Sequence, residues 1–180
     1  MQKDIEKVYF SQEELDAIVQ RLGRQISEDY KDKNLLLVSI LKGSIIFMAD
    51  LMRAITVPCR IDFMAVSSYG SGTRSGVVKI QKDLDINLEG YDLLIVEDIL
   101  DSGKTLYNVR NLLQTRNPAS IKICTLFDKP DRREADIFAD YSGTLVPDEF
   151  IVGYGLDYDE KYRNLPYIGV LKPEIYGNND

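Results

Sequence analysis

Residues 96–106, VEDILDSGKTL, crowd the acids Glu97, Asp98 and Asp101, the hydroxyls of Ser102 and Thr105, Gly103 and Lys104 into one short stretch. The preceding run LLIV at 93–96 is unbroken and apolar, as in a parallel strand covered on both faces. Leu106, Val109 and Leu113 recur at helical spacing, and NP at 117–118 closes the helical pattern. The stretch is therefore a strand-to-helix turn at the carboxyl edge of an α/β sheet, where ligands of this fold class bind. At such a turn, unpaired backbone N–H groups and the positive end of the helix dipole face outward together. Gly103 lets a ligand approach the backbone, Ser102 and Thr105 add donors, and Lys104 adds charge, so the turn is built for an anion. A Walker A loop is excluded, because the position of its first glycine is Asp98.

Acids beside an anion site repel the anion, so Glu97, Asp98 and Asp101 need a different partner. A carboxylate pair accepts two hydroxyl protons side by side, which suits a cis-diol. A ribose 5-phosphate carries such a diol beside its phosphate and fits both halves of the stretch. A charged N-terminal cap accounts for Asp101 or Ser102 alone, but not for the whole string.

Composition narrows the chemistry further. The 180-residue chain has no histidine, which excludes Ser-His-Asp and Cys-His arrangements and histidine-ligated zinc or iron. Base chemistry then falls to a carboxylate, a lysine or a tyrosine. With 29 acids available, a catalytic metal is a hard, oxygen-ligated ion, and Mg²⁺ is the candidate. The net charge of -7 disfavours nucleic acid and anionic membrane as partners. No apolar run approaches the roughly 20 residues of a membrane span, and MQKDIEKVYF is too charged for a signal peptide, so a cytoplasmic protein is expected. Cys59 and Cys124 cannot make a disulfide framework and read as reduced core residues. Length and the 44% apolar content predict one domain over 1–180.

The elements that position these residues follow from pattern. FSQEEL at 10–15 predicts a helix N-terminus, with Ser11 and Glu14 as a capping box and Phe10 and Leu15 as a staple, and the helix runs to about Tyr30. NLLLVSIL at 34–41 is a buried strand, KGS a turn and IIFMADLMRAI at 45–55 a helix apolar nearly all round. RIDFMAVSSYG reads as a strand, GSGTRSG at 70–76 as a mobile loop and VVKIQKDL as an extended return. IKICTLFDK at 121–129 and FIVGYGLDY at 150–158 are further strands. This alternation predicts a mostly parallel, doubly wound sheet flanked by helices, with the terminal segments packed as a small cap.

VEDILDSGKTL resembles the phosphoribosyl pyrophosphate signature of type I phosphoribosyltransferases, and its wording is closest to the hypoxanthine-guanine branch in its bacterial form. The resemblance covers roughly residues 10–175 in four further blocks. LLLVSILKGS is similar to the first pyrophosphate loop, which in the family carries a non-proline cis peptide, here at Leu41–Lys42, and binds through Lys42 and Gly43. SSYGSGTRSG looks like the family's lid, spanning about 68–79, with Ser68 and Tyr69 near pyrophosphate. LFDKP places Lys129 where the family's purine-reading lysine donates to a 6-oxo group. EFIVGYGLDYDEKYR puts Phe150 on the purine face, Ile151 at the base edge, Asp157 beside the purine and on Mg²⁺, and Arg163 toward pyrophosphate.

What the resemblance implies is transfer of a 5-phosphoribosyl group from phosphoribosyl pyrophosphate to N9 of hypoxanthine or guanine, giving the nucleoside 5′-monophosphate and pyrophosphate. Asp101 is then the base that takes the N7 proton, Ser102, Gly103, Lys104 and Thr105 hold the 5′-phosphate, and Glu97 and Asp98 hold the ribose diol. Glu97, Asp98 and Asp157 are the implied metal acids, and a homodimer or homotetramer is the implied assembly. Two other readings stay open at this point: a xanthine-accepting transferase, and a non-catalytic sensor of phosphoribosyl pyrophosphate.

Overall fold

The computed structural model describes residues 1–68, 78–146 and 148–177. Its larger sheet has six strands in the order β4-β3-β2-β5-β6-β7. These are β2 (Leu35–Leu41), β3 (Cys59–Ser68), β4 (Val78–Lys82), β5 (Asp92–Leu100), β6 (Ser120–Asp128) and β7 (Tyr141–Leu145). Neighbours from β3 to β7 run parallel, and β4 returns antiparallel at the edge. The helices α1 (Gln12–Asp29), α2 (Ile45–Ala54) and α3 (Lys104–Gln114) cover it on both faces. Leu35 and Leu37 of β2 and Leu94 and Val96 of β5 join one core with α1 and α2. Leu36 and Val38 of β2 and Leu93 and Ile95 of β5 point the other way, toward Leu106, Val109 and Leu113 of α3. Burial on both faces is why these strands read as unbroken apolar runs.

The predicted capping box is present: Ser11 Oγ accepts from the Glu14 N–H at 3.2 Å, and the Ser11 N–H donates to Glu14 Oε2 at 2.8 Å. Tyr30 is the C-cap. Cys124 is buried, Cys59 is half-buried at the start of β3, and both are free thiols.

The predicted cap is also present, as a three-stranded antiparallel sheet in the order β1-β9-β8. β1 (Ile5–Phe10) and β9 (Ile168–Leu171) come from the two ends of the chain, and α4 (Pro173–Tyr176) follows β9. The structure corrects the expected strand at 150–158. Only β8 (Ile151–Val152) is extended there, and it belongs to the cap. Gly153, Tyr154 and Gly155 then take φ values of +104°, +49° and +101°, which turn the chain out of any strand. At Gly153 a Cβ would lie 2.1 Å from the Tyr167 carbonyl oxygen, so the apolar look of FIVGYGL hides a tight turn. β7, which the pattern did not announce, completes the far edge of the large sheet.

From β2 the chain crosses through α2 to β3 on one side, and from β5 it crosses through α3 to β6 on the other. The winding therefore reverses between β2 and β5, where a crevice opens at the carboxyl ends. β2 pairs with β5 only through Ser39↔Val96, while β5 goes on pairing with β6 to Leu100↔Asp128. Glu97 and Asp98 lie just past the last β2 pair, at the lip of that opening.

Candidate active site

Three segments converge at this lip. The loop after β2 begins with the peptide Leu41–Lys42, which is cis, as the resemblance implies. Beneath it the buried hydroxyls of Ser39 and Ser44 lie 2.7 Å apart, and Ser44 Oγ donates to the Ile40 carbonyl. Gly43 is pressed against the acids: a Cβ there would sit 1.9 Å from Asp98 Oδ2. Gly155, from the turn after β8, is pressed in turn on Gly43, with its Cβ position 2.0 Å from the Gly43 carbonyl oxygen. At Gly155 the near atom is backbone and φ is +101°, so glycine is required there, whereas a side chain at position 43 would displace the Asp98 carboxylate.

Glu97 and Asp98 are half-buried side by side. Desolvation, and after it the Asp98 carboxylate, hold Glu97 well above the usual carboxylate range. Desolvation also lifts Asp98 to about 6, against the pull of the Ile99 N–H and of Arg163. The Ile99 N–H donates to Asp98 Oδ1 at 2.8 Å. A pair so disfavoured as anions is suited to hydroxyl donors or to a cation.

The turn after β5 has the predicted form. Gly103 caps α3 at φ +78°, a left-handed conformation, and its Cβ position lies 2.6 Å from Ile137 Cγ2. The first helical bond of α3 runs from the Tyr107 N–H to the Gly103 carbonyl at 2.8 Å, so the amides of Lys104, Thr105 and Leu106 precede any helical acceptor. The Ser102 carbonyl accepts from the N–H groups of Glu134 at 2.9 Å and Ala135 at 3.1 Å, which ties the turn to the segment after β6. Lys104 and Thr105 are exposed, and the Lys104 ammonium is ion-paired with Glu134.

Beside the turn lies a cleft of about 540 Å³ whose walls include Asp101, Lys129, Phe150, Ile151, Asp157 and Tyr176. Lys129 is only 8% exposed, and its Nζ donates to the Glu149 carbonyl at 3.1 Å. Asp101 Oδ1 lacks a hydrogen bond of good geometry, and Arg132 Nε is 3.2 Å away. Arg132 also holds Asp148 through Nη1 at 2.6 Å. Phe150 stays 39% exposed, while Ile151 is buried opposite Val170. A groove of about 620 Å³ lined by Asp16, Ile46, Asp50, Tyr154 and Arg163 shares only Arg163 with the residues singled out above.

Asp157 and Arg163 form one chain of charges. Arg163 Nη2 lies 2.9 Å from Asp157 Oδ1 and 3.1 Å from Glu160 Oε1, and its Nη1 donates to the Gly155 carbonyl at 2.8 Å. Glu160 Oε2 reaches Lys42 Nζ at 2.8 Å, and the Glu160 N–H donates to Asp157 Oδ2 at 3.0 Å. The first loop and the segment after the cap turn are thus joined through Glu160, which the sequence reading passed over, as it did Arg132 and Tyr176. Glu160 and Arg132 look like solvated charges in sequence, and Tyr176 like a C-terminal apolar residue; nothing local marks them. Among the described residues no group of three or more potential ligands encloses a metal position, so Glu97, Asp98 and Asp157 line one region without forming a closed cage. Ser68 ends β3, whereas Tyr69 and residues 70–77 of the expected lid lie outside the described residues.

Comparison with known proteins agrees with this geometry. Residues 9–159 match the phosphoribosyl transferase domain. The hypoxanthine-guanine phosphoribosyltransferase of Streptococcus thermophilus is 56% identical over 177 residues, covering 98% of both chains. The enzyme of the same name from Staphylococcus aureus is 54% identical over 179 residues, 99% of this chain and 100% of that one. A crystal structure of a hypoxanthine phosphoribosyltransferase from Staphylococcus aureus superposes with a TM-score of 0.96 at 54% identity, covering 99% of this chain and 97% of that one.

Proposed function

Because the chain belongs to the phosphoribosyl transferase family, we propose that it transfers the 5-phosphoribosyl group of phosphoribosyl pyrophosphate to N9 of hypoxanthine and guanine, a purine salvage reaction. The observation that carries this reading is the placement of the Glu97/Asp98 pair beside a cleft that combines Asp101, Lys129 and Phe150. An acid pair takes the ribose diol, the amides of the turn at 102–105 take the 5′-phosphate, and the cleft takes the base.

In the transfer, N9 attacks the ribose C1 as the C1–O bond breaks, and pyrophosphate leaves with the bonding electrons. Positive charge grows on the sugar ring, as in glycoside cleavage. Asp101 accepts the proton from purine N7, which leaves the lone pair at N9 free to form the new bond. Its side chain lines the cleft and is held there by the exposed ion pair with Arg132. Lys129, nearly buried in the cleft wall, donates to the 6-oxo group, which selects oxopurines over adenine. Phe150, 39% exposed in the cleft wall, offers its ring for stacking, Ile151 supplies backbone at the base edge, and Asp157 closes that side of the cleft. The amides of Lys42 and Gly43, with Arg163, meet the leaving pyrophosphate. The lid of 68–79, with Ser68 and Tyr69, excludes water from the activated sugar.

The oxygen donors Glu97, Asp98 and Asp157 suit a hard divalent ion, whose charge would favour the ionised form of the desolvated Glu97/Asp98 pair. Mg²⁺, when bound there, supplies charge neutralisation for the leaving group. We read residues 1–180 as one catalytic domain, cytoplasmic, with free thiols and no helix among the described residues long and apolar enough to cross a membrane. Assembly as a homodimer or homotetramer is what the family resemblance implies for this chain. No observation favours the xanthine or the sensor reading.

The test is direct. Purified protein with phosphoribosyl pyrophosphate, Mg²⁺ and hypoxanthine or guanine is expected to form the nucleoside monophosphate and pyrophosphate in equal amounts, and to stop when EDTA is added. Absence of product with both bases sinks the reading.

A further inference from the structure

Phe150 is the aromatic face on which the proposed reading seats the base, and a stacking platform works only if its plane is held. Two tyrosines hold it. Tyr158 meets the ring edge-on, at 5.5 Å between centroids and 88° between planes. Tyr176 lies almost parallel to it, at 4.9 Å and 20°. Tyr176 therefore covers one face of Phe150, while Phe150 keeps 39% of its surface exposed and both rings line the cleft.

The anchoring of Tyr176 is unlike that of a loose C-terminus. It sits on α4, which opens at Pro173 and is tied back by the Lys172 N–H donating to the Asp4 carbonyl at 3.0 Å. Ile175 and Tyr176 pack on the cluster of Val152, Tyr162, Leu165 and Leu171 beneath the cap. The two ends of the chain thus meet behind the platform. The last helix carries one ring whose face is turned to Phe150.

We propose that Tyr176 is a positioning residue for purine binding: the C-terminal helix backs Phe150 and fixes the plane against which the base stacks. This rests on the reading of the cleft as the purine seat. Offset aromatic pairs contribute beyond their buried area, and loss of such a pair corresponds to roughly a three- to tenfold weakening. The weakening falls on the base and not on phosphoribosyl pyrophosphate, whose groups are met by the turn at 102–105 and the loop at 42–43.

The experiment measures steady-state KM for hypoxanthine, guanine and phosphoribosyl pyrophosphate in Tyr176→Ala, Tyr176→Phe, Tyr176→Leu, Phe150→Ala and the Tyr176→Ala/Phe150→Ala double variant of the full chain. Tyr176→Ala is expected to raise both purine KM values roughly three- to tenfold with the phosphoribosyl pyrophosphate KM within about twofold of wild type. Tyr176→Phe, which keeps the ring, returns purine KM close to wild type, and Tyr176→Leu, which keeps bulk without the ring, does not. In the Phe150→Ala background the Tyr176→Ala effect disappears, because the partner it acts through is gone. Unchanged or lowered purine KM in Tyr176→Ala overturns the proposal, a lowered value meaning that the ring blocks the seat. Full recovery by Leu, or a parallel rise in all three KM values, overturns it too, since the residue is then only packing. Wild-type purine KM in Phe150→Ala sinks the purine-seat reading itself, whereas an effect of Phe150→Ala with none from Tyr176→Ala sinks only the role of Tyr176.

Discussion

Asp101→Asn separates proton transfer from every other contribution of the acid stretch. The substitution keeps the shape of the side chain and its reach into the cleft, and removes its capacity to take a proton at neutral pH. Its structural cost is small. Asp101 is half exposed, its contact with Arg132 is an exposed ion pair of the kind that contributes little, and Arg132 retains Asp148. No histidine stands ready as a substitute base. Glu97 and Asp98 lie on the strand side, at the lip between β2 and β5. General base catalysis is worth about 10²–10⁴-fold, and partial compensation by water leaves at least roughly a tenfold loss in the chemical step. The assay is single-turnover formation of the nucleoside monophosphate by rapid quench, with enzyme in excess over phosphoribosyl pyrophosphate, so that slow product release does not mask the step. The dissociation constant for phosphoribosyl pyrophosphate is expected to stay within about twofold, because Asp101 lines the cleft assigned to the base. Wild-type single-turnover rates in the Asn variant across neutral pH refute the assignment and return Asp101 to the role of a surface acid paired with Arg132.

Lys129→Met keeps most of the buried stem and removes the ammonium; a lost charge-assisted hydrogen bond of about 1.5–3 kcal/mol predicts a purine KM raised at least roughly tenfold with little change for phosphoribosyl pyrophosphate, and an unchanged purine KM removes Lys129 from the base edge. Gly43→Ala drives a methyl to 1.9 Å from Asp98 Oδ2, so kcat/KM for phosphoribosyl pyrophosphate is expected to fall more than tenfold, and wild-type kinetics contradict the close approach. The folded-state value of Asp98, raised from 3.8 to about 6, means that the free protein loses stability as pH rises through that window, by up to about 3 kcal/mol. In EDTA, urea melts of Asp98→Asn at pH 8 are therefore expected to exceed wild type in stability, with the difference gone below pH 4; a less stable variant at pH 8 shows that the pair is not strained.

Much of this site is a local property of the chain. The strand ending in acids, the glycine turn and the helix at 93–114 were legible because each depends on neighbours in sequence: apolar runs for a strand covered on both faces, a glycine where φ turns positive, and helical periodicity after it. The capping box at Ser11 and Glu14 is legible for the same reason, both partners lying within one helical turn. The phosphate turn and the absence of histidine chemistry could be read before any fold was known, whereas Asp101 as the base and the purine-side residues Lys129, Phe150, Ile151 and Asp157 came only from the resemblance.

What the tertiary structure decided concerns partners distant in sequence. Lys42 meets Glu160 across 118 positions, and Tyr141 meets Asp29 across 112, and neither pairing leaves a trace in the local pattern. The stretch 150–158 shows the limit most plainly. Its residues are apolar enough for a strand, yet Gly153 and Gly155 are glycines because the backbones of Tyr167 and Gly43 approach them, so the segment turns and lends only Ile151 and Val152 to the cap. Composition determines which groups can donate, accept or titrate. Which of them share a cleft depends on where the winding reverses between β2 and β5 and on how the chain ends cross behind Phe150, because those distances are set by the packing of the whole sheet and cap.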